Sequence, residues 1–145
     1  MQGETMKVLL AIDGSETSRH AVAFVVRQRA MFERVEMTCL VIDKPTPLRA
    51  VGAFGADPGM PSLASVDVDA IAAPLVQQLK EAGYAPALEL REGEPGPEIV
   101  QFALDGKFDL IVMGARERGL LRRSVLGSVG RNVLSKSTVP VLLVR

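Results

Sequence analysis

The sequence predicts a single α/β domain: a five-stranded parallel sheet with helices on both faces. Three observations predict it. Five short apolar runs alternate with longer segments of helical spacing, which is the pattern of successive βαβ units. The runs are nearly continuous in apolar residues, as strands covered on both sides have to be. The chain has 145 residues, 48% of them hydrophobic, enough for one domain with a substantial core. The expected domain spans residues 6–145, with 1–5 as a frayed N-terminus.

KVLLAID, Lys7 to Asp13, reads as the first strand. Ser15 is a good N-cap, so a helix is expected to run through Val22, Val25 and Val26 to about Met31. VEMTCLVID, Val35 to Asp43, is the second strand. Lys44 to Ser65 is irregular and rich in proline and glycine. A loop of that length in a compact domain is mobile or functional, and both a mobile segment and a lid stay open.

The second helix places Val68, Ile71, Leu75, Leu79 and Ala82 on one face and stops at Gly83. PALELRE, Pro86 to Glu92, is the third strand. The third helix opens in EPGPEIV, where a first-turn proline gives up an N–H that has no intrahelical partner anyway. Its apolar face is Ile99, Val100, Ala103 and Leu104. DLIVMG, Asp109 to Gly114, is the fourth strand. A fourth helix begins after Gly127–Ser128, places Val129 and Val133 four apart, and stops before Pro140. VPVLLVR, Val139 to Arg145, is the fifth strand. KVLLAI, DLIVM and VPVLLV are expected at the sheet centre.

Composition narrows the function. Seventeen basic and 17 acidic residues cancel, so no overall field favours nucleic acid or an anionic membrane, and any anion site must be local. The apolar run AVAFVV, Ala21 to Val26, is far short of a membrane span, and no signal-peptide pattern begins the chain, so the cytoplasm is the expected location. The one cysteine, Cys39, lies in an apolar run and reads as a small buried hydrophobe; it excludes an intrachain disulfide and a cysteine cluster.

Candidate site residues fall at strand tips, because ligands of doubly wound sheets bind beyond the carboxyl ends of strands where strand order reverses. Asp13 ends AIDGS and either enters such a crevice or serves the dipole of the first helix. At the tip of the fourth strand, Gly127, Ser128 and the following N–H groups, Val129 among them, begin a helix able to hold an anion. Ser128 either caps that helix or contacts phosphate. Arg116 and Arg118 are placed to contact a phosphate, while Arg122 and Arg123 read as a solvated face. No G-x-x-x-x-G-K-[ST] or G-x-G-x-x-G occurs, which removes the P-loop and dinucleotide fingerprints. His20, the only histidine, reads as helix surface or a packed edge, so no protein metal site is expected. A two-component receiver would need an acidic pair, a strand-three aspartate and a strand-five lysine that the chain lacks.

On these residues the sequence resembles the universal stress protein family from Lys7 to Arg145. The resemblance rests on LLAIDGS, on GEPGPEIV as a variant approach to the third helix, on DLIVMG, and on the C-terminal LGSV followed by PVLLVR. It implies parallel strands in the order 3-2-1-4-5 and a homodimer through the last strand, Val139 to Arg145, which would also cover an exposed apolar edge. It implies ATP or another adenine nucleotide, with Mg accompanying it, bound through G-x2-G-x9-G-[ST]. Gly114, Gly127 and Ser128 match that pattern, and the adenine-side contacts fall on Asp13 and Val41.

The second glycine of the pattern is Glu117 here, and Gly119 lies two residues too late to replace it. Glycine permits close approach to phosphate; glutamate adds a Cβ and a negative charge. Two readings therefore stand: a nucleotide-binding stress protein with little or no turnover, and a homodimer that does not bind ATP and acts through protein partners. A hydrolase or ligase lacks an identifiable base or nucleophile. A carboxylate about 5 Å from one phosphate charge, at an effective dielectric of about 20, is repelled by roughly 3 kcal/mol, about a hundredfold in affinity. Glu117→Gly is therefore expected to bind ATP more tightly than the parent chain, by up to about that factor. Calorimetric titration of both checks it, and equal affinities would remove Glu117 from the argument.

Overall fold

A computed structural model of the chain describes residues 3–44, 67–115 and 126–145. Strands β1 (Met6–Ala11), β2 (Val35–Asp43), β3 (Ala87–Glu92), β4 (Leu110–Gly114) and β5 (Val141–Val144) form one sheet. Helices α1 (Glu16–Arg27), α2 (Val68–Glu81), α3 (Pro95–Asp105) and α4 (Ser128–Lys136) connect or follow them. All neighbouring strands are parallel, in the order β3, β2, β1, β4, β5. The long Pro/Gly-rich segment and its lid reading lie outside the described residues.

The apolar runs have a simple cause: successive strand residues feed two different cores. Val8, Leu10 and Ile12, with Cys39 and Val41, pack against α1 and α2. Leu9, Ala11 and Leu40 pack on the opposite face against Ile99 and Ala103 of α3 and Val133 of α4. Because side chains alternate faces along a strand, a strand covered twice needs apolar residues at both parities. Cys39 is fully buried in the first core, and burial pushes its thiol up to about 12, so it is a packing group with little thiolate at neutral pH.

The helix starts follow local chemistry. Ser15 caps α1 by accepting from the Ser18 N–H at 3.3 Å, and Asp67 caps α2 by accepting from the Ala70 N–H at 3.0 Å. Pro95 opens α3 as expected. Gly83, past the end of α2, has φ +98°, the left-handed conformation used to stop a helix.

Four expectations are corrected. β1 ends at Ala11, because the Asp13 N–H turns from the sheet to the Ser18 hydroxyl at 2.9 Å. α1 ends at Arg27 rather than near Met31. The Gln28 N–H still bonds Phe24 O, then tighter turns from Met31 N to Gln28 O and Phe32 N to Arg29 O follow and bury Phe32 completely. Leu104 is 53% exposed, since Gly96, Ile99 and Ala103 already fill the buried stripe of α3 and the next residue turns about 100° away. VPVLLV is not central: β5 begins only at Val141, after a proline that has no N–H for the ladder, and it forms a sheet edge while β2 takes an interior place.

The strand order positions the site. From β1 the chain steps to β2 and β3 on one side, then returns to lay β4 on the other. The helices of these connections go to opposite faces, and their divergence opens a crevice beyond the carboxyl ends of β1 and β4.

Candidate functional site

That crevice is present as a cavity of about 420 Å³, within the roughly 300–1,000 Å³ usual for small-molecule sites. Ala11, Leu40, Ile99 and Met113 give it an apolar floor. Polar groups come from the strand tips and from the starts of α3 and α4. Lys44 and Asp13 follow β2 and β1, and Gly114 ends β4, so they succeed one another across the mouth at strand spacings of about 4.8 Å.

Asp13 lines the cavity and also organises the turn into α1. Its Oδ1 accepts from the Ser15 N–H at 2.9 Å and from the Ser18 hydroxyl at 2.7 Å. Gly14 between them has φ +78°, a conformation a Cβ disfavours; the D-G-S turn thus has a backbone reason. The helix-start reading of Asp13 and the crevice reading are compatible, since one oxygen serves the turn while the residue faces the cavity.

Val41 is placed differently from what the resemblance implies for a side-chain contact. It is 1% exposed and belongs to the core beneath α1 and α2, whereas its neighbours Leu40 and Ile42 line the cavity. A ligand contact at Val41 would have to use its main chain.

At the other tip, α4 starts at Ser128 with Gly127 as its N-cap and no side-chain capping bond. Ser128 is therefore the first helical residue and not the cap. The Arg131 N–H makes the first intrahelical bond, to Gly127 O at 3.0 Å. The preceding N–H groups of Ser128, Val129 and Gly130, all cavity-lining residues, lie ahead of that bond and have no intrahelical acceptor. This brings Gly127, Ser128 and Val129 to the same cavity as Asp13 and Gly114. Arg116, together with Arg118, Arg122, Arg123, Glu117 and Gly119, lies outside the described residues.

Four residues of the site escaped the sequence reading. Lys44 and Glu94 form an ion pair at 3.3 Å between the ends of β2 and α3, and both line the cavity. Their place after a strand and before a helix, the criterion that singled out Asp13, could have found them. Gly96 and Asn132 mark a close α3–α4 approach: a methyl at Gly96 would come within 2.7 Å of Asn132 Cβ. Asn132 Oδ1 is buried there without a hydrogen-bond partner, and no sequence pattern announces it. Among the described residues, no group of three or more His, Cys, Asp or Glu side chains could hold a metal ion, and no helix is long and apolar enough to cross a membrane.

Comparison with known proteins gives a consistent result. A sequence model described as the Universal stress protein family matches residues 4–145. The universal stress protein MJ0531 of Methanocaldococcus jannaschii is 30% identical over 139 residues, covering 96% of this chain and 81% of that protein. The solved structure of the protein MJ0577 superposes with a TM-score of 0.76 at 27% identity, covering 96% of this chain and 94% of that one. A universal stress protein solved in complex with cAMP has a TM-score of 0.68 at 24% identity, covering 97% and 96%, a likeness of fold.

Gly114 has a packing role that precedes any ligand. A methyl there would run into the main-chain carbonyl of Thr17 and come within 2.7 Å of its Cβ, because the end of β4 abuts the first turn of α1. Backbone cannot swing aside as a side-chain tip can. Gly114→Ala is therefore expected to destabilise the ligand-free fold by about 1–3 kcal/mol, read as a lower urea midpoint. An unchanged midpoint would show that the seam between β4 and α1 yields freely.

Proposed function

The chain belongs to the universal stress protein family, and we propose that it binds an adenine nucleotide in the crevice between β1 and β4, with little or no turnover. The observation that carries this reading is the uncapped start of α4. Gly127 offers no side chain, so the N–H groups of Ser128, Val129 and Gly130 are available to an anion at the positive end of the helix dipole. The apolar floor suits a base, and the cavity volume suits a ligand of nucleotide size. The fold accommodates such a ligand in the relative solved with cAMP.

Binding without chemistry fits the fate of one cavity-lining hydroxyl. Ser18 is 3% exposed and its oxygen is taken by Asp13 on both its donor and acceptor sides, which leaves it unsuited to attack a phosphate. Mg, when it accompanies the nucleotide, is read as held by the phosphates. The reading in which the protein acts only through partners has no observation of its own in the described residues.

A homodimer through β5 is proposed with it, because β5 is an edge strand of apolar residues and pairing would cover its unpaired backbone. We place the protein in the cytoplasm on the same reading.

Two measurements follow. If the α4 start holds a phosphate, AMP binds more tightly than adenosine by about tenfold or more, since hydrogen bonds to a charged group contribute about 1.5–3 kcal/mol. Calorimetric titration decides, and equal affinities would sink the assignment. For the dimer, sedimentation should give twice the 15.5 kDa of one chain, with β5 amides gaining exchange protection as concentration rises. A monomer mass, or β5 amides indifferent to concentration, would refute that interface.

A further inference from the structure

β3 closes the sheet on the side away from β5 and is the more exposed of the two edges, with only Glu89 half-buried. Leu88 and Leu90 stand beside Cys39 and Val41 and so belong to the face covered by α1 and α2. They are nevertheless 40% and 46% exposed. The helices leave this apolar pair largely open.

The backbone beside it is open as well. The Gly93 N–H donates to Asp43 O at 3.0 Å. By the alternation of a parallel ladder, Glu89 and Arg91 also turn their N–H and C=O groups to β2, and Leu88, Leu90 and Glu92 turn theirs outward. Among the described residues no strand lies on that edge. Arg91 Nη1 touches it, donating to Leu90 O at 3.1 Å and to Glu89 Oε2 at 3.4 Å, which leaves Leu90 O its second lone pair. Open backbone flanked by exposed leucines is a template for a further strand.

Charge and proline select that strand. A second copy of β3, related by a twofold axis that continues the sheet, runs antiparallel and brings each side chain opposite one on its own face. An axis at Glu89, Arg91 or Glu92 sets like charges directly opposite one another, which is destabilising. An axis at Ala87 or Leu88 calls for an N–H from Pro86, which has none. With the axis at Leu90 neither fault arises. Leu90 then meets its own copy, Leu88 and Glu92 supply the flanking hydrogen bonds, and Glu89 lies opposite the second copy's Arg91 on both sides of the axis.

We propose that β3 is a self-association edge: two copies of the chain pair antiparallel about Leu90, held in register by reciprocal Glu89 and Arg91 contacts. This edge and β5 lie at opposite ends of the sheet, so the two contacts use different surfaces. The pairing is also independent of the nucleotide reading.

The test is residue-resolved hydrogen exchange of the whole chain over a concentration series, with two charge variants of exposed side chains. In the parent chain the Leu88, Leu90 and Glu92 amides should gain protection as concentration rises. Glu89→Arg puts two like-charged pairs across the axis, as does Arg91→Glu. Each variant alone should need about tenfold or more protein for the same protection. Mixed in equal amounts, the two complement one another at both pairs and should regain the protection of the parent chain. β3 amides indifferent to concentration, single variants that behave as the parent, or a mixture no better than its components would overturn the pairing. Protection already complete at the lowest concentration overturns it too, since the edge is then filled within one chain. Gains confined to β5 amides leave that interface standing and this one refuted.

Discussion

The structure depends on the double burial of β1. It is paired on both edges, with β2 and with β4, and packed on both faces, so Val8, Leu9 and Leu10 are all fully buried. It contributes to both cores, as β2 and β4 also do. Its central residues have no solvent side on which to place a polar group, so polar side chains stand at its ends, Lys7 near the start and Asp13 just beyond Ala11. The chemistry of the molecule is pushed to the carboxyl edge by the physics of its middle.

The same edge has to satisfy packing and binding with the same residues. Gly114 must be small because Thr17 backbone lies against it, and being small it leaves main chain bare at the crevice. Gly14 needs its positive φ to turn the chain into α1, and the turn presents Asp13. Gly96 admits Asn132 closely enough to bring α3 and α4 together at the cavity wall. A glycine pattern read as a phosphate signature is therefore partly a record of tight seams between strands and helices.

The fold was legible because its strongest signal is redundant. The interior strands β1, β2 and β4 and the helix stripes repeat the demand for two covered faces, and all five strands and four helices were found near their true places. Boundaries failed where a single hydrogen bond decided the matter. The Asp13 N–H chose Ser18 over the sheet, and Gln28 left the helix before Met31 could join it. The central place assigned to VPVLLV failed because apolarity reports burial and not lateral order, and the half-buried residues of β5 are apolar for their contacts with both cores. Within the site, the residues legible in sequence were those that a turn or helix start requires. Val41 was brought in by family resemblance, and strand parity puts its side chain in the wrong layer for the crevice. Lys44 and Glu94 each stand at a strand end or helix start, but their pairing joins residues 50 apart in sequence and has no local signature.

The crevice is electrically asymmetric, and this sets how a ligand lies in it. Lys44 and Glu94 neutralise one another at the β2 side, the Asp13 carboxylate follows β1, and the bare N–H groups of α4 lie beyond β4. A helix start carries about half a positive charge. An anionic group placed there is attracted, whereas about 5 Å from the Asp13 carboxylate, at an effective dielectric of about 20, it is repelled by roughly 3 kcal/mol. A ligand with an anion at one end and an N–H donor at the other has one favourable orientation, and reversing it opposes both ends at once. Orientation is thus fixed by the strand order itself: because β4 and β1 are neighbours at the point where the sheet reverses, the donor-poor tip and the donor-rich helix start face the same cavity from opposite sides.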